Sequence, residues 1–181
     1  IVVPPYNYDL GRAGKGVSSD WVFFTTYNTE EAHTMLEVNA SRNDKDFIAA
    51  VNWKKAAELV RNGQGKTMDA EYYHNHYNGK KQGYAISEVK NEVTVLDTRE
   101  IDENFIYYLP TPKSPHGVDV DPTGEYIVGG GKLATVIPVH SFSNMLEAIE
   151  NEDIADYIDG IPVLNYDATI AGEVENPGLG P

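Results

Sequence analysis
The stretch from Pro115 to Val139 constrains the fold of this chain most. It opens Pro115-His-Gly-Val-Asp-Val-Asp-Pro-Thr-Gly-Glu-Tyr-Ile-Val128 and, after a glycine-rich loop, continues Thr135-Val-Ile-Pro-Val139. Residues of strand type flank Asp121-Pro-Thr-Gly124, where Pro122 presets φ and Gly124 accepts a positive φ. The reading is strand, tight turn, strand, loop, strand, an antiparallel meander. Blades of β-propellers are meanders of this kind.

The rest of the chain repeats the theme. Strands are predicted at Trp21–Tyr27, Phe47–Val51, Glu92–Leu96, Phe105–Leu109, Glu125–Val128 and Ala134–Val139. Turn chemistry separates them at Asn62-Gly63, Asn78-Gly79, Asp121-Pro-Thr-Gly124 and Gly129-Gly-Gly131. Two short helices are predicted as surface excursions. One spans Trp53–Arg61, with Asn52 as N-cap and Gly63 just past its end. The other spans Asn144–Glu150, with Ser143 as N-cap. The segments ending near Val51 and Val139 both run strand, strand, short helix. Propeller blades recur every ~40–50 residues, so this echo fits an all-β chain of two to three blades. A sandwich fits the pattern as well.

Composition narrows the chemistry. The 181 residues suffice for one domain with a core, and the 12 tyrosines suit half-buried strands. A net charge of −14 repels phosphate backbones, which argues against a nucleic-acid partner. No stretch approaches the roughly 20 apolar residues of a membrane-spanning helix. With no cysteine, thiolate metal sites and cysteine nucleophiles are excluded from this segment. The start at Ile1 and the Gly/Pro-rich stop at Pro181 read as the ends of an excised piece.

The remaining candidates are histidines and hard oxygens. His116, between Pro115 and Gly117 at the start of a predicted strand, is placed to meet other imidazoles if strand starts converge on an axis. A loop histidine is the default for a single such residue. His74 and His76 share one face if their segment is extended, but no third ligand stands near them in sequence. His33 reads as solvated, and His140, at a strand end, as a capping or exposed residue. Tyr27 to Glu30 ends one strand and Arg42 to Asp46 starts the next, an arrangement able to hold a cation such as calcium, or simply a solvated acidic loop. Gly129-Gly-Gly-Lys132 lacks phosphate-loop spacing and opens no helix. No Ser-His-Asp arrangement is evident.

Lys113-Ser-Pro-His-Gly117, Asp121-Pro-Thr-Gly-Glu-Tyr126 and Gly131-Lys-Leu133 stand in a fixed order with Thr25-Thr-Tyr-Asn-Thr-Glu30, Asn43-Asp-Lys-Asp46 and Gly178-Leu-Gly-Pro181. Together they resemble the nitrous oxide reductase family, across almost the whole chain from about Trp21. Pro4-Pro-Tyr-Asn-Tyr-Asp-Leu-Gly-Arg12 and the Tyr/His segment near residue 74 look like its second, atypical branch.

The resemblance implies a seven-bladed N-terminal β-propeller holding a sulfide-bridged four-copper cluster, CuZ, on histidines alone. Residues 1–181 would be an internal part of it. A C-terminal cupredoxin domain carrying CuA would lie outside this chain. It also implies a periplasmic homodimer that reduces N2O to N2 with electrons from a donor such as a c-type cytochrome or cupredoxin. His116 matches the family's Pro-His-Gly copper ligand. Tyr27, Glu30 and Asp46 match its calcium ligands, and Ala40 matches a backbone-carbonyl ligand by weaker alignment. Ser114 stands where the family often has Asn. His33, His74, His76 and His140 match no cluster ligand. On this reading the chain alone has no activity. The rivals are a non-enzymatic propeller binding module and another propeller metalloenzyme of quinone or lactonase type; the latter would need acidic ligands near the axis, and no such set is visible.

Overall fold
The computed structural model describes residues 1, 7–27, 46–69, 92–112, 114–131 and 134–176. Two four-stranded antiparallel meanders dominate it. The first is β1 (Asn7–Ala13), β2 (Trp21–Tyr27), β3 (Phe47–Asn52) and β6 (Ile106–Pro110), hydrogen-bonded in that order. The second is β7 (Pro115–Val120), β8 (Tyr126–Gly131), β9 (Val136–Ser141) and β12 (Ile170–Glu175), also in order. Neither sheet is closed, so the architecture is mostly β in several open sheets.

Between its third and fourth strands each meander carries the same insertion, a nine-residue helix followed by a hairpin. In the first unit these are α1 (Trp53–Arg61) and the hairpin β4 (Lys66–Asp69) with β5 (Glu92–Val95). In the second they are α2 (Phe142–Glu150) and the hairpin β10 (Ile154–Ile158) with β11 (Ile161–Leu164), then the short helix α3 (Tyr166–Thr169). The faint echo in the sequence thus extends to a shared order of strands, nine-residue helix and antiparallel strand pair.

The two helices are capped alike. Asn52 Oδ1 accepts the Lys55 amide at 2.9 Å, and Ser141 Oγ accepts the Asn144 amide at 3.1 Å. Each satisfies a donor that the first helical turn leaves without an intrahelical acceptor. At the other end Asn62 and Asn151 end the helices with nearly equal dihedrals. The chain then turns left-handed at Gly63 (φ 83) or Glu152 (φ 53). The following amides return to the last turn, Gln64 N to Leu59 O at 2.9 Å and Asp153 N to Ala148 O at 2.8 Å. These are the bonds of a Schellman motif.

Several expectations need correction. The second helix starts two residues early, because Ser141 rather than Ser143 is its cap. The cause lies in Glu125, which accepts both hydroxyls at 2.6 Å and keeps Ser143 inside the first turn. These bonds hold the Glu125 carboxyl below its ordinary pKa. Nor is α2 a surface excursion: Phe142, Met145 and Ala148 are buried with Trp21, Phe23, Ile48 and Ile127 in the core between the sheets. Gly129-Gly-Gly131 is not a turn but the end of β8, opposite Pro115 to Val118 of β7. The predicted tight turn is present, with Asp121 accepting the Tyr126 and Thr123 amides at 2.9 and 3.0 Å.

The two units lock together at their first strands. Gly124 (φ 81) lies against the Lys15 carbonyl and Gly16 (φ 42) against that of Thr123, so that a Cβ on either would collide. The Val17 amide donates to Thr123 O at 3.0 Å and Lys15 Nζ to Val120 O at 2.5 Å. This fastening sets β1 beside β7, although no ladder joins them. A second core lies on the opposite face of the first sheet, where Phe47 stacks on Tyr108 at 4.9 Å and Leu59 of α1 packs beneath.

Candidate functional site
His116 lies on β7 where that strand faces β1. The β7–β8 register shifts between Pro115 and Gly117, so His116 sits at a bulge. The β1–β2 register shifts between Tyr8 and Gly11, which puts Asp9 at a bulge too. Bulges re-aim side chains out of the regular alternation of a strand. Here they turn the two residues toward one another across the gap between the sheets. Asp9 Oδ2 lies 2.7 Å from His116 Nδ1. Asp9 Oδ1 accepts its neighbouring Leu10 amide at 2.8 Å, which fixes the carboxylate plane. Both side chains are about one-third exposed, so the pair lies at a surface and not in a sealed core.

The turn that delivers His116 to β7 is anchored from the first sheet. Asp46, at the start of β3, is 1% exposed, and its Oδ2 accepts the Ser114 amide at 2.9 Å. The Asp46 carbonyl accepts the Thr111 amide at 3.0 Å. Ser114 is fully buried and left-handed, φ 60. A non-glycine residue in that region costs about 1 kcal/mol or more. The buried charge-assisted bond from Asp46 offsets such a cost. Asp46 therefore holds Ser114, and Ser114 sets the direction of Pro115 and His116.

Of the residues predicted for calcium, Asp46 and Ser114 are in direct contact. The main chain of Tyr27 comes to the same end of the sheet, since Thr26 pairs with Phe47 and Tyr27 with Asn7. At that end the hydroxyls of Thr25 and Thr26 are buried without a hydrogen-bond partner among the described residues. Glu30, Ala40, His33, His74 and His76 lie outside the described residues. Among the described residues no three His, Cys, Asp or Glu side chains stand close enough to hold a metal ion by themselves.

His140 is neither exposed nor a cap. It is fully buried on β9, with Nδ1 3.0 Å from Thr169 Oγ1 and its ring edge-on to Tyr166 at 5.8 Å. Nε2 has no partner of good geometry among the described residues. Burial pushes its pKa down to about 4, opposed by the nearby Pro110 carbonyl. The ring is neutral at pH 7 and serves the core that fastens α3. Sequence reasoning missed it because the groups around the ring, from Pro110 to Tyr166 and Thr169, lie far from His140 in the chain on both sides. It also missed Asp9, whose partner is 107 positions away; no local signal marks that pairing.

No family model matches the chain. It is 26% identical to a nitrous-oxide reductase from Pseudomonas fluorescens, over 72% of this chain and 17% of that protein. It is 28% identical to a nitrous-oxide reductase from Stutzerimonas stutzeri, over 78% of this chain and 25% of that protein. The chain thus spans a quarter or less of the curated relatives it matches, and it is distantly related to them. Among the described residues no helix is long and apolar enough to cross a membrane.

Proposed function
We propose, from this distant relationship to nitrous-oxide reductases, that the chain is part of the catalytic β-propeller of such an enzyme. Its two meanders are read as neighbouring blades, with β1 and β7 as their inner strands facing a common axis. Within a periplasmic homodimer the whole protein would catalyse N2O + 2 e⁻ + 2 H⁺ → N2 + H2O, with electrons delivered through a CuA domain by a small redox protein.

The observation that carries this reading is the Asp9–His116 pair. A metal-binding imidazole usually has its other ring nitrogen engaged by a carboxylate or carbonyl, which fixes tautomer and orientation. His116 has that partner on Nδ1, which would leave Nε2 for copper on this reading. The single imidazole fits a shared cluster whose other histidines come from elsewhere in the longer protein. Such a cluster, when bound, would supply the electrons for reducing a substrate that is a poor ligand and a poor electrophile.

What this chain contributes is position. Asp9 holds the ring by Nδ1, and Asp46 and Ser114 fix the turn before it. The close packing of Gly16 on Thr123 and of Gly124 on Lys15 opposes sliding of the strand that carries His116 along β1. A calcium ion would suit the Asp46 end of the sheet, where the Asp46 carboxylate lies near the buried hydroxyls of Thr25 and Thr26. On the family resemblance its ligands would be Tyr27, Glu30 and Asp46, with Ala40 and Ser114 as further oxygen donors; of these, Asp46 and Ser114 are in contact. Calcium would keep the turn before His116 from relaxing.

The test is His116→Ala in the full-length protein, with copper content and N2O reduction both measured. Loss of cluster copper together with activity is expected. A variant that keeps its full copper complement and turnover would remove His116 from the centre and this reading with it.

A further inference from the structure
The repeat carries one inference about how the chain continues. In the second unit the hairpin β10–β11 does not stay with its own sheet. Its strand β11 runs parallel to β6, with Val163 opposite Tyr108. It thus extends the outer edge of the unit before it, and the first sheet becomes six-stranded, β1-β2-β3-β6-β11-β10. All four residues of β11 are buried there. The clasp therefore joins successive units: a hairpin that follows the helix of one unit closes the open edge of the previous fourth strand.

The equivalent of β6 in the second unit is β12, and among the described residues its outer edge pairs with nothing. Residues from Ala171 to Glu175 are exposed, including Val174 at 54%. An open strand edge offers a row of amides and carbonyls to any pairing chain. We propose that this edge is covered, in parallel, by a strand from the hairpin insertion of a third unit of the same build, supplied by chain beyond β12.

Three observations on the molecule support that occupant over a foreign one. A nine-residue helix followed by an antiparallel strand pair occurs in both units with the same capping geometry, so a further unit of this build brings its own clasp. The established pairing of β11 with β6 shows where that clasp docks. The matched relatives are several times longer than this chain, which leaves ample sequence for further units. The incoming strand should be short and apolar, like Ile161-Pro-Val-Leu164. It should follow a helix that ends in an Asn and a left-handed residue. The inference rests on the repeat and not on copper.

Hydrogen exchange on the full-length protein tests it. The Asn176 amide donates to the carbonyl of Thr135, the residue before β9, so by strand alternation the Val174 amide also points inward while those of Glu173 and Glu175 point outward. Exchange at Glu173 and Glu175 at least about a hundredfold slower than in an unstructured peptide, unchanged on dilution, is the expected result. Free exchange there beside protected Val174 would overturn the proposal by showing a solvated edge. Protection that disappears on dilution would overturn it too, since the cover would then be a second molecule. A Glu175→Pro variant gives an independent reading. Proline is tolerated on an open edge but removes a donor a neighbouring strand would use, so a lowered melting temperature is expected and an unchanged one counts against the clasp. Copper content measured on the same samples keeps failure of this inference distinct from failure of the reductase reading.

Discussion
His140 offers the sharpest quantitative test of the packing. Its pKa is about 4 in the folded protein against an ordinary 6.5. For a base, a depressed folded-state value means that the unfolded chain takes up the proton first. The contribution to stability is complete above about pH 6.5, declines as pH falls through 6.5, and stops changing below about 4. At ~1.4 kcal/mol per pKa unit the full span is about 3 kcal/mol, and about 2 kcal/mol of it is gone at pH 5. Over pH 7.5 to 5 carboxylates of ordinary pKa titrate little, so the comparison isolates histidines. In His140→Asn the amide can still meet Thr169, but nothing there ionises. At pH 7.5 the variant should be less stable, by about 1–2 kcal/mol, through lost packing of the ring. Its further loss between pH 7.5 and 5 should be smaller than that of the parent by about 2 kcal/mol, so the stabilities converge near pH 5. Denaturant unfolding of the full-length protein, followed by exchange of β9 amides, measures both. Parallel pH profiles, or an NMR titration of His140 near its ordinary value, would refute the assignment of a buried neutral ring.

Other outcomes follow from local geometry. Glu152 occupies the left-handed position that Gly63 fills in the first unit; Glu152→Gly should stabilise by about 0.5–1 kcal/mol in thermal unfolding, because glycine carries no Cβ penalty there. Asn52→Ala should cost about 1 kcal/mol by loss of the α1 cap, while Asn52→Ser should recover most of it. Asp9→Ala in the full-length protein should weaken copper retention about 10- to 100-fold while leaving the melting temperature of the metal-free protein within a few degrees. Met145→Ala should destabilise by about 2–5 kcal/mol, seen as a lower denaturant midpoint, since this side chain is fully buried between helix and sheets.

Local chemistry made much of the architecture legible. The strands β2, β3 and β5, the helix α1 with its Asn52 cap, and the Asp121-Pro-Thr-Gly124 turn all follow from residues a few positions apart. Their determinants are steric or are bonds within one turn, so spacing alone reveals them. The strands β1, β10, β11 and β12 were not visible. β11 is a four-residue strand whose burial comes from β6 of the other unit, while β12 is mostly exposed and carries no strand-type run of apolar residues. Ser141 displaced Ser143 as cap because of Glu125, which lies just before β8, 16 positions from Ser141.

The sequence by itself determined that this chain is β-rich and acidic, free of thiol chemistry, and marked by Pro115-His-Gly117 within a family resemblance that the comparisons support. The tertiary structure alone decided which residues serve that histidine. Two bulges on strands from different sheets bring Asp9 to its ring, and a buried carboxylate at residue 46 fixes the turn before it. It also decided that His140 is a neutral core residue and that one unit's hairpin closes the edge of another. The physical reason is common to all four. Each depends on a contact between groups far apart in the chain, whose free energy exists only after the sheets have packed, and no periodicity or propensity records it beforehand.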